Sequence, residues 1–369
     1  MESSPLNTLN SANVGTGFRT AFIGLGRMAS FLEEEVVDGT YISHAAAIRD
    51  EPQFQLTAGA DVDEGQRARF RDRWSVSALF ESAQEMLRTE RPEVVCVCSP
   101  TERHMENCLS AIEAGCRAIF CEKPVASRLD EADAVVRACE ERNIILAINH
   151  TRRWTPNFNT ARELLLAGRL GKIQSAVAHY GGGVGNIGTH LFDLLRFLFG
   201  EAEAVTALAD WNSDGDPDIS GYLEFAAGFG CHIVANDTRA HYFFEIDVIG
   251  AEGRLRICRN GQALELYGLE PSPSFAYAQE LSRQPEFFES RDRTPSLRLA
   301  YRELASILNG VGPARPACAG ADGIAAMDIA CGLMLSARHG RERICLPLNA
   351  RHEKLPSRQR GNAVSASTH

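Results

Sequence analysis

Lysine is nearly missing from this chain. Of its 38 Lys and Arg residues only Lys123, Lys172 and Lys354 are lysine, which leaves 35 arginines. A lysine that persists in so arginine-rich a sequence stands where chance tolerates it, or where a compact, titratable ammonium is required. Basic excess is missing too. Acidic residues outnumber basic ones, 48 to 38, and the pI is near 5.6. That balance argues against nucleic acid or an acidic membrane surface as the main partner, and leaves room for a local cationic pocket. The 11 cysteines include no CxxC pair and lie in apolar stretches such as 94–98. Reduced, buried thiols of a cytoplasmic protein fit better than disulfides or a zinc site, so no metal is expected. No apolar run approaches the roughly 18 residues needed to cross a bilayer, and the opening MESSPLNTLNSANVGTG is too polar for a signal peptide.

What is present is ordinary globular composition, 44% apolar and 23% charged over 369 residues, enough for about two domains. Residues 1–17 and 350–369 are polar and read as flexible tails. Over 18–149, short apolar runs at 20–24, 55–60, 94–98, 118–121 and 144–148 alternate with amphipathic stretches such as 105–114 and 129–141. Strand–helix alternation predicts an α/β domain with a parallel sheet covered on both faces. Over 150–349 the pattern changes. A helix at 159–167 is followed by strand signals at 173–180, 204–211, 220–226, 231–236, 243–249, 253–257 and 263–266, with helices at 297–308 and 321–337. This reads as an α+β domain on a largely antiparallel open sheet, with an irregular loop over 270–296.

Three motifs carry chemistry. Gly24-Leu25-Gly26-Arg27-Met28-Ala29 follows the first strand. There the first glycine permits a tight turn, the second lets backbone approach a pyrophosphate, and a small third residue lets helix and strand pack. Asp61 ends the second strand, where a carboxylate accepts ribose hydroxyls and repels a 2′-phosphate; NAD is favoured over NADP, unless Asp61 is an ordinary turn residue. Glu122-Lys123-Pro124 ends the strand 118–121, on the side that faces a ligand crevice. Finally, Asn186-Ile187-Gly188-Thr189-His190 opens a helix marked by Leu191, Leu194, Leu195 and Leu198. Asn186 and His190 share a face there, and Asp193 is spaced to hold the imidazole. On spacing alone, Asn186 as a helix cap and His190 as an interface polar group stay open.

Together with Ser99-Pro100-Thr101 and His104, Arg152-Arg153-Trp154 with Pro156, and Gly188-Thr189-His190 with Asp193, these motifs resemble the glucose–fructose oxidoreductase, inositol dehydrogenase and rhizopine-catabolism dehydrogenase family over about 18–348. The resemblance implies a Rossmann domain and NAD(P)-dependent hydride transfer at a sugar, polyol or nucleotide-sugar carbon. It implies His190 as acid/base and Lys123 as its electrostatic and proton partner. It implies cofactor contacts from Gly24, Gly26, Arg27, Met28, Asp61, Ser99, Pro100, Thr101, His104, Glu122 and Lys123, and homodimers or homotetramers formed through the outer sheet face. The family often has Asp where Asn186 stands, and an amide cannot take a proton. The run from Gly181 to Asp193 looks most like the nucleotide-sugar branch. An added segment at 33–42 lies near the expected cofactor edge.

Arg152 and Arg153 follow the last Rossmann strand. Their forks suit a substrate carboxylate or diphosphate, or else an interdomain salt bridge. Asn186 and Asp193 complete the expected substrate contacts. Trp154 suits core packing, His150 is a crevice residue without an assigned role, and Lys172 reads as a turn charge. Two other functions stay open: an NAD-dependent glycosidase acting by transient oxidation and elimination, and a non-catalytic nucleotide-sensing protein.

Overall fold

The computed structural model describes residues 17–356 apart from 38, 40, 212–214 and 290–293. The expected tails 1–16 and 357–369 lie outside these described residues. Short runs of β-branched and small apolar residues build the first sheet from β1 (Phe18–Ile23), β2 (Phe54–Ala60), β3 (Ala78–Phe80), β4 (Val94–Val97), β5 (Ala118–Cys121) and β6 (Ile145–Ile148). All its pairings are parallel and the order is β3-β2-β1-β4-β5-β6, the doubly wound arrangement that leaves a ligand crevice at the carboxyl ends of the strands. Every residue of β4 and β5 is buried, as a sheet covered on both faces requires. The side chains of Ser43, Asp63 and Ser82 accept the amides of Ala46, Gln66 and Glu85 at three helix starts; such caps contribute about 1 kcal/mol each.

The second sheet holds β7 (Ile173–Tyr180), β8 (Ala202–Ala207), β9 (Gly221–Phe225), β10 (Phe229–Ala235), β11 (Glu245–Gly250), β12 (Gly253–Cys258), β13 (Ala263–Pro271), β14 (Gln279–Glu289) and β15 (Ile344–Cys345). Its order is β14-β13-β12-β11-β7-β10-β9-β8-β15, antiparallel except for the parallel β7–β10 pair. Period-two burial is plain in β11, where Ile246 and Val248 are buried and Glu245 and Asp247 are half-buried. Helices Pro156–Leu166, Thr189–Phe199 and Gly320–Arg338 pack on one face. Gly320–Arg338 is apolar and long enough to cross a bilayer, yet it is mostly buried against β8 and Thr189–Phe199.

The chain returns twice to the first domain. Helix Ser296–Leu308 packs on His44–Arg49, and its buried Tyr301 meets His44 Nδ1 at 2.7 Å and Cys96 Sγ at 2.9 Å. Residues 350–356, expected within the polar tail, are tied down instead. Arg351 bonds Asp133 at 2.7 Å through Nε and Asp328 at 2.7 Å through Nη1, and Leu355 is buried. The expected loop at 270–296 is also corrected: β13 and β14 form a hairpin across much of it. Exposed residues on both its arms hide the alternation that marks a half-buried strand. All 11 cysteines are free, and nine of them are buried as small apolar side chains.

Candidate active site

At the end of β1, Gly24 has φ +86°, and a Cβ there would lie 2.6 Å from the backbone nitrogen of Ser99. Only glycine allows that turn against that strand. A Cβ on Gly26 would meet nothing within 4 Å, so the backbone there faces open space, as a phosphate-approach position requires. The helix that follows is one turn, Arg27–Ser30, and its first amides have no intrahelical acceptor. Arg27 pairs with Glu35 at 2.6 Å, and half-buried Met28 lies beside it, Arg27 Nη1 3.7 Å from its sulfur.

Asp61 Oδ2 accepts the amide of Leu25 at 2.7 Å, and Oδ1 accepts that of Asp63 at 2.9 Å. Each oxygen keeps a further acceptor position. The carboxylate therefore ties the glycine turn to β2 and fits a ribose. The residues present suit a dinucleotide. Within the added segment, Glu33 and Glu34 are held by Arg69 and Arg73, and Glu33 also accepts the amide of Ser43.

Two of the expected cofactor residues, His104 and Glu122, have buried side chains bonded within the protein. The His104 ring lies between the carbonyls of Ser99, 2.9 Å from Nε2, and Pro124, 2.8 Å from Nδ1, and is 1% exposed. It clamps the Ser99-Pro100-Thr101 loop to the Glu122-Lys123-Pro124 loop; burial pushes its pKa down against the pull of both carbonyls. Glu122 is buried as well, with Oε1 3.1 Å from His44 Nε2 and 2.7 Å from Asn149 Nδ2. Burial would raise its pKa, but the His44 and Asn149 hydrogen bonds and the charge of Lys123 hold it below the usual carboxylate range.

Lys123 crosses to the second domain. Its Nζ donates to the backbone oxygen and to Oδ1 of Asn186, both at 2.9 Å. Asn186 sits in a wide helical turn, Gly183–Gly188, which runs directly into Thr189–Phe199. Such i→i+5 turns are rare and recur at functional sites. Asp216 Oδ1 accepts the Gly185 amide at 2.7 Å and Oδ2 the Asn186 amide at 3.0 Å, while Asp218 accepts that of Gly183 at 2.8 Å. A Cβ on Gly183, φ +90°, would lie 2.1 Å from Asp216 Oδ2, which explains the glycine there. Burial raises the pKa of Asp216 against these amides and Lys123. Asp216 and Asp218 escape a reading of the sequence because they lie about thirty residues from their partners.

His190, the second residue of Thr189–Phe199, is half-buried. Its neighbour is His150, with Nδ1 to Nδ1 3.4 Å and ring planes at 88°. The expected clasp by Asp193 is corrected. Asp193 is fully buried and accepts Arg153 Nε at 2.9 Å on both oxygens, and Arg153 Nη2 also reaches Asp322 at 3.1 Å. Arg153 and Asp193 thus hold each other inside the second domain rather than facing a substrate. Burial lifts the Asp193 pKa, opposed by Arg153. Trp154 is in the core, donating to Glu303 at 2.8 Å. Arg152 differs from its neighbour. It is half-buried over the Phe244 ring, donates to the Tyr242 hydroxyl at 3.0 Å, and has no carboxylate partner among the described residues. No three His, Cys, Asp or Glu side chains among the described residues converge as a metal site.

Family models match both domains. Residues 18–150 match the oxidoreductase family with an NAD-binding Rossmann fold, and residues 178–256 match the GFO/IDH/MocA C-terminal domain. Among curated proteins, myo-inositol 2-dehydrogenase of Thermotoga maritima is 26% identical over 262 residues, covering 64% of this chain and 74% of that one. Among solved structures, levoglucosan dehydrogenase in complex with NADH and levoglucosan superposes with a TM-score of 0.74 at 18% identity, covering 90% of this chain and all of that one. The WlbA dehydrogenase of Bordetella pertussis, in complex with NADH and UDP-GlcNAcA, gives 0.71 at 20% identity over 90% of this chain and 100% of that one. With an NAD-binding Rossmann domain joined to the family's second domain, this chain belongs to the GFO/IDH/MocA oxidoreductases.

Proposed function

We propose that this protein moves hydride between NAD and a secondary alcohol of a sugar, polyol or nucleotide sugar. One observation carries the reading: the Lys123 ammonium is bonded to Asn186, four residues ahead of His190 in the same helical run. A cation from the NAD-binding domain and an imidazole from the other domain therefore belong to one cleft. Bound NAD would supply the hydride acceptor, held by Gly24, Gly26, Asp61 and the 99–101 loop. His190 takes the hydroxyl proton, and Lys123 stabilises the charge that develops on that oxygen. Asn186 orients Lys123 and offers an amide to substrate. Arg152, which is without a carboxylate partner among the described residues, suits an acidic substituent on the sugar.

The relatives support this substrate range, since one is named for inositol and two are solved with levoglucosan or a nucleotide-sugar acid. Assembly into a dimer or tetramer through the outer sheet face belongs to the same reading. Val177, Tyr222 and Tyr267 are half-buried on strands of that sheet, Val177 paired with Asp247 and Tyr267 with Arg254.

The test is a thermal-shift screen with NAD against myo-inositol, glucosides, uronates and nucleotide sugars, followed by NADH formation with each stabilising compound. Steady NADH build-up from a free sugar is expected. Release of a leaving group without NADH would favour a glycosidase, and NAD binding with no turnover of any compound would favour a nucleotide sensor.

A further inference from the structure

The imidazole beside His190 is that of His150, a residue that pattern alone leaves without a role. His150 follows β6, is 1% exposed, and approaches His190 with Nδ1 to Nδ1 at 3.4 Å. A hydrogen bond between these two nitrogens needs one ring to donate from Nδ1 while the other accepts there. The tautomers of the pair are therefore opposite. The other nitrogen of His150, Nε2, is buried and has no hydrogen-bond partner among the described residues.

The surroundings set the charge of His150. The charged groups that act on His150 are Glu122 and Lys123 from the end of β5, and Arg152 and Arg153 from the turn after β6. Three are cations and one is a carboxylate already bonded to His44 and Asn149. Burial, then Lys123, Arg153 and Arg152, hold the His150 pKa well below the usual histidine value. His150 is therefore a neutral ring, with one nitrogen able to accept a hydrogen bond.

We propose that His150 is the positioning residue for His190: His150 Nδ1 accepts the proton on His190 Nδ1, leaving the His190 Nε2 lone pair as the base. The proton balance is simple. In alcohol oxidation the hydroxyl proton moves to His190 Nε2, the carbon-bound hydrogen leaves with its electron pair to NAD, and the imidazolium keeps its Nδ1 proton bonded to His150. That bond favours the charged form of His190 and fixes its ring, the task the sequence suggests for Asp193. This inference rests on the role of His190 proposed above.

The experiment compares His150→Phe, His150→Asn and His190→Ala as NADH-bound proteins and in turnover of the sugar that gives the fastest NADH formation in the screen. Phenylalanine fills the space without an acceptor, whereas the Asn oxygen stands in for Nδ1. His150→Phe is expected to lose about 10- to 100-fold in kcat, with NADH affinity retained and the acid limb of the oxidation pH profile moved to lower pH. His150→Asn should recover most of the rate and the wild-type profile. Long-range proton–nitrogen spectra of ¹⁵N-histidine protein should show His150 protonated on Nε2 and His190 on Nδ1. The opposite tautomers, or a His150→Phe enzyme with wild-type rate and pH profile, would overturn the proposal. So would equal losses in both His150 variants with the profile unmoved. If His190→Ala itself keeps its rate, the proposed function fails first; if only His150→Phe does, this inference alone fails.

Discussion

Lys123 Nζ donates to both the backbone oxygen and Oδ1 of Asn186, each at 2.9 Å, across the boundary between the NAD-binding domain and its partner. A hydrogen bond to a charged group contributes about 1.5–3 kcal/mol, so the side-chain acceptor matters to where the ammonium rests. Asn186→Ala removes Oδ1 and leaves the backbone oxygen. We expect turnover about tenfold lower with NADH affinity unchanged, read by steady-state kinetics and fluorescence titration. Unchanged turnover would mean that Asn186 Oδ1 does not position Lys123.

Arg153 and Asp193 form a buried pair. Removing one partner of such a pair leaves an uncompensated charge at a cost of about 3–5 kcal/mol. Arg153→Met should lower stability by roughly that amount in urea unfolding, while Arg153→Met with Asp193→Leu should be milder than the sum of the two single changes. A simple sum would show that the two side chains do not act as a unit.

Asp61 accepts from Leu25 and Asp63, and its charge also opposes a 2′-phosphate. Asp61→Ser should weaken NAD binding about tenfold or more and narrow the gap to NADP, measured by thermal shift with each nucleotide. Equal binding of NAD and NADP by the unaltered protein would contradict the role given to this carboxylate.

His150 has a pKa depressed by burial, then by Lys123, Arg153 and Arg152. A group whose folded pKa lies below its unfolded value contributes stability that is complete above the unfolded value, near 6.5, and lost as pH falls through it. Stability should therefore decline below pH ~6.5 with a slope of up to about 1.4 kcal/mol per unit from this group. Glu122, held below its ordinary 4.5, enters only at lower pH. His104 shifts in the same direction as His150 and is common to both proteins compared. Urea unfolding at pH 7.5 and 5.0 should thus show a shallower fall for His150→Phe than for wild type; identical falls would contradict a buried neutral His150.

Much of this was legible in the sequence, for physical reasons that differ by residue. The parallel sheet announces itself through wholly apolar runs such as Val94–Val97, and the second through period-two strands such as β11. Lys123 stood out because lysine is scarce and because strand ends face the crevice. Asp193 misled because a three-residue spacing says which side chains share a helix face but not what else meets that face; Arg153 and Asp322 do. His150 and Asp216 carried no local pattern, since their partners come from distant segments. Residues 350–356 look like a solvated tail until Asp133 and Asp328 are seen to hold Arg351.

The most direct measurement is single-turnover NADH formation by wild type, His190→Ala and Lys123→Arg with the best sugar from the screen, alongside NADH affinity by fluorescence. If one ammonium and one imidazole act on the same hydroxyl, both variants bind NADH as wild type does. His190→Ala then loses about 10²–10⁴-fold in rate, and Lys123→Arg is severely impaired because a bulky fork cannot replace a compact titratable ammonium. A His190→Ala protein that forms NADH at nearly the wild-type rate would contradict it.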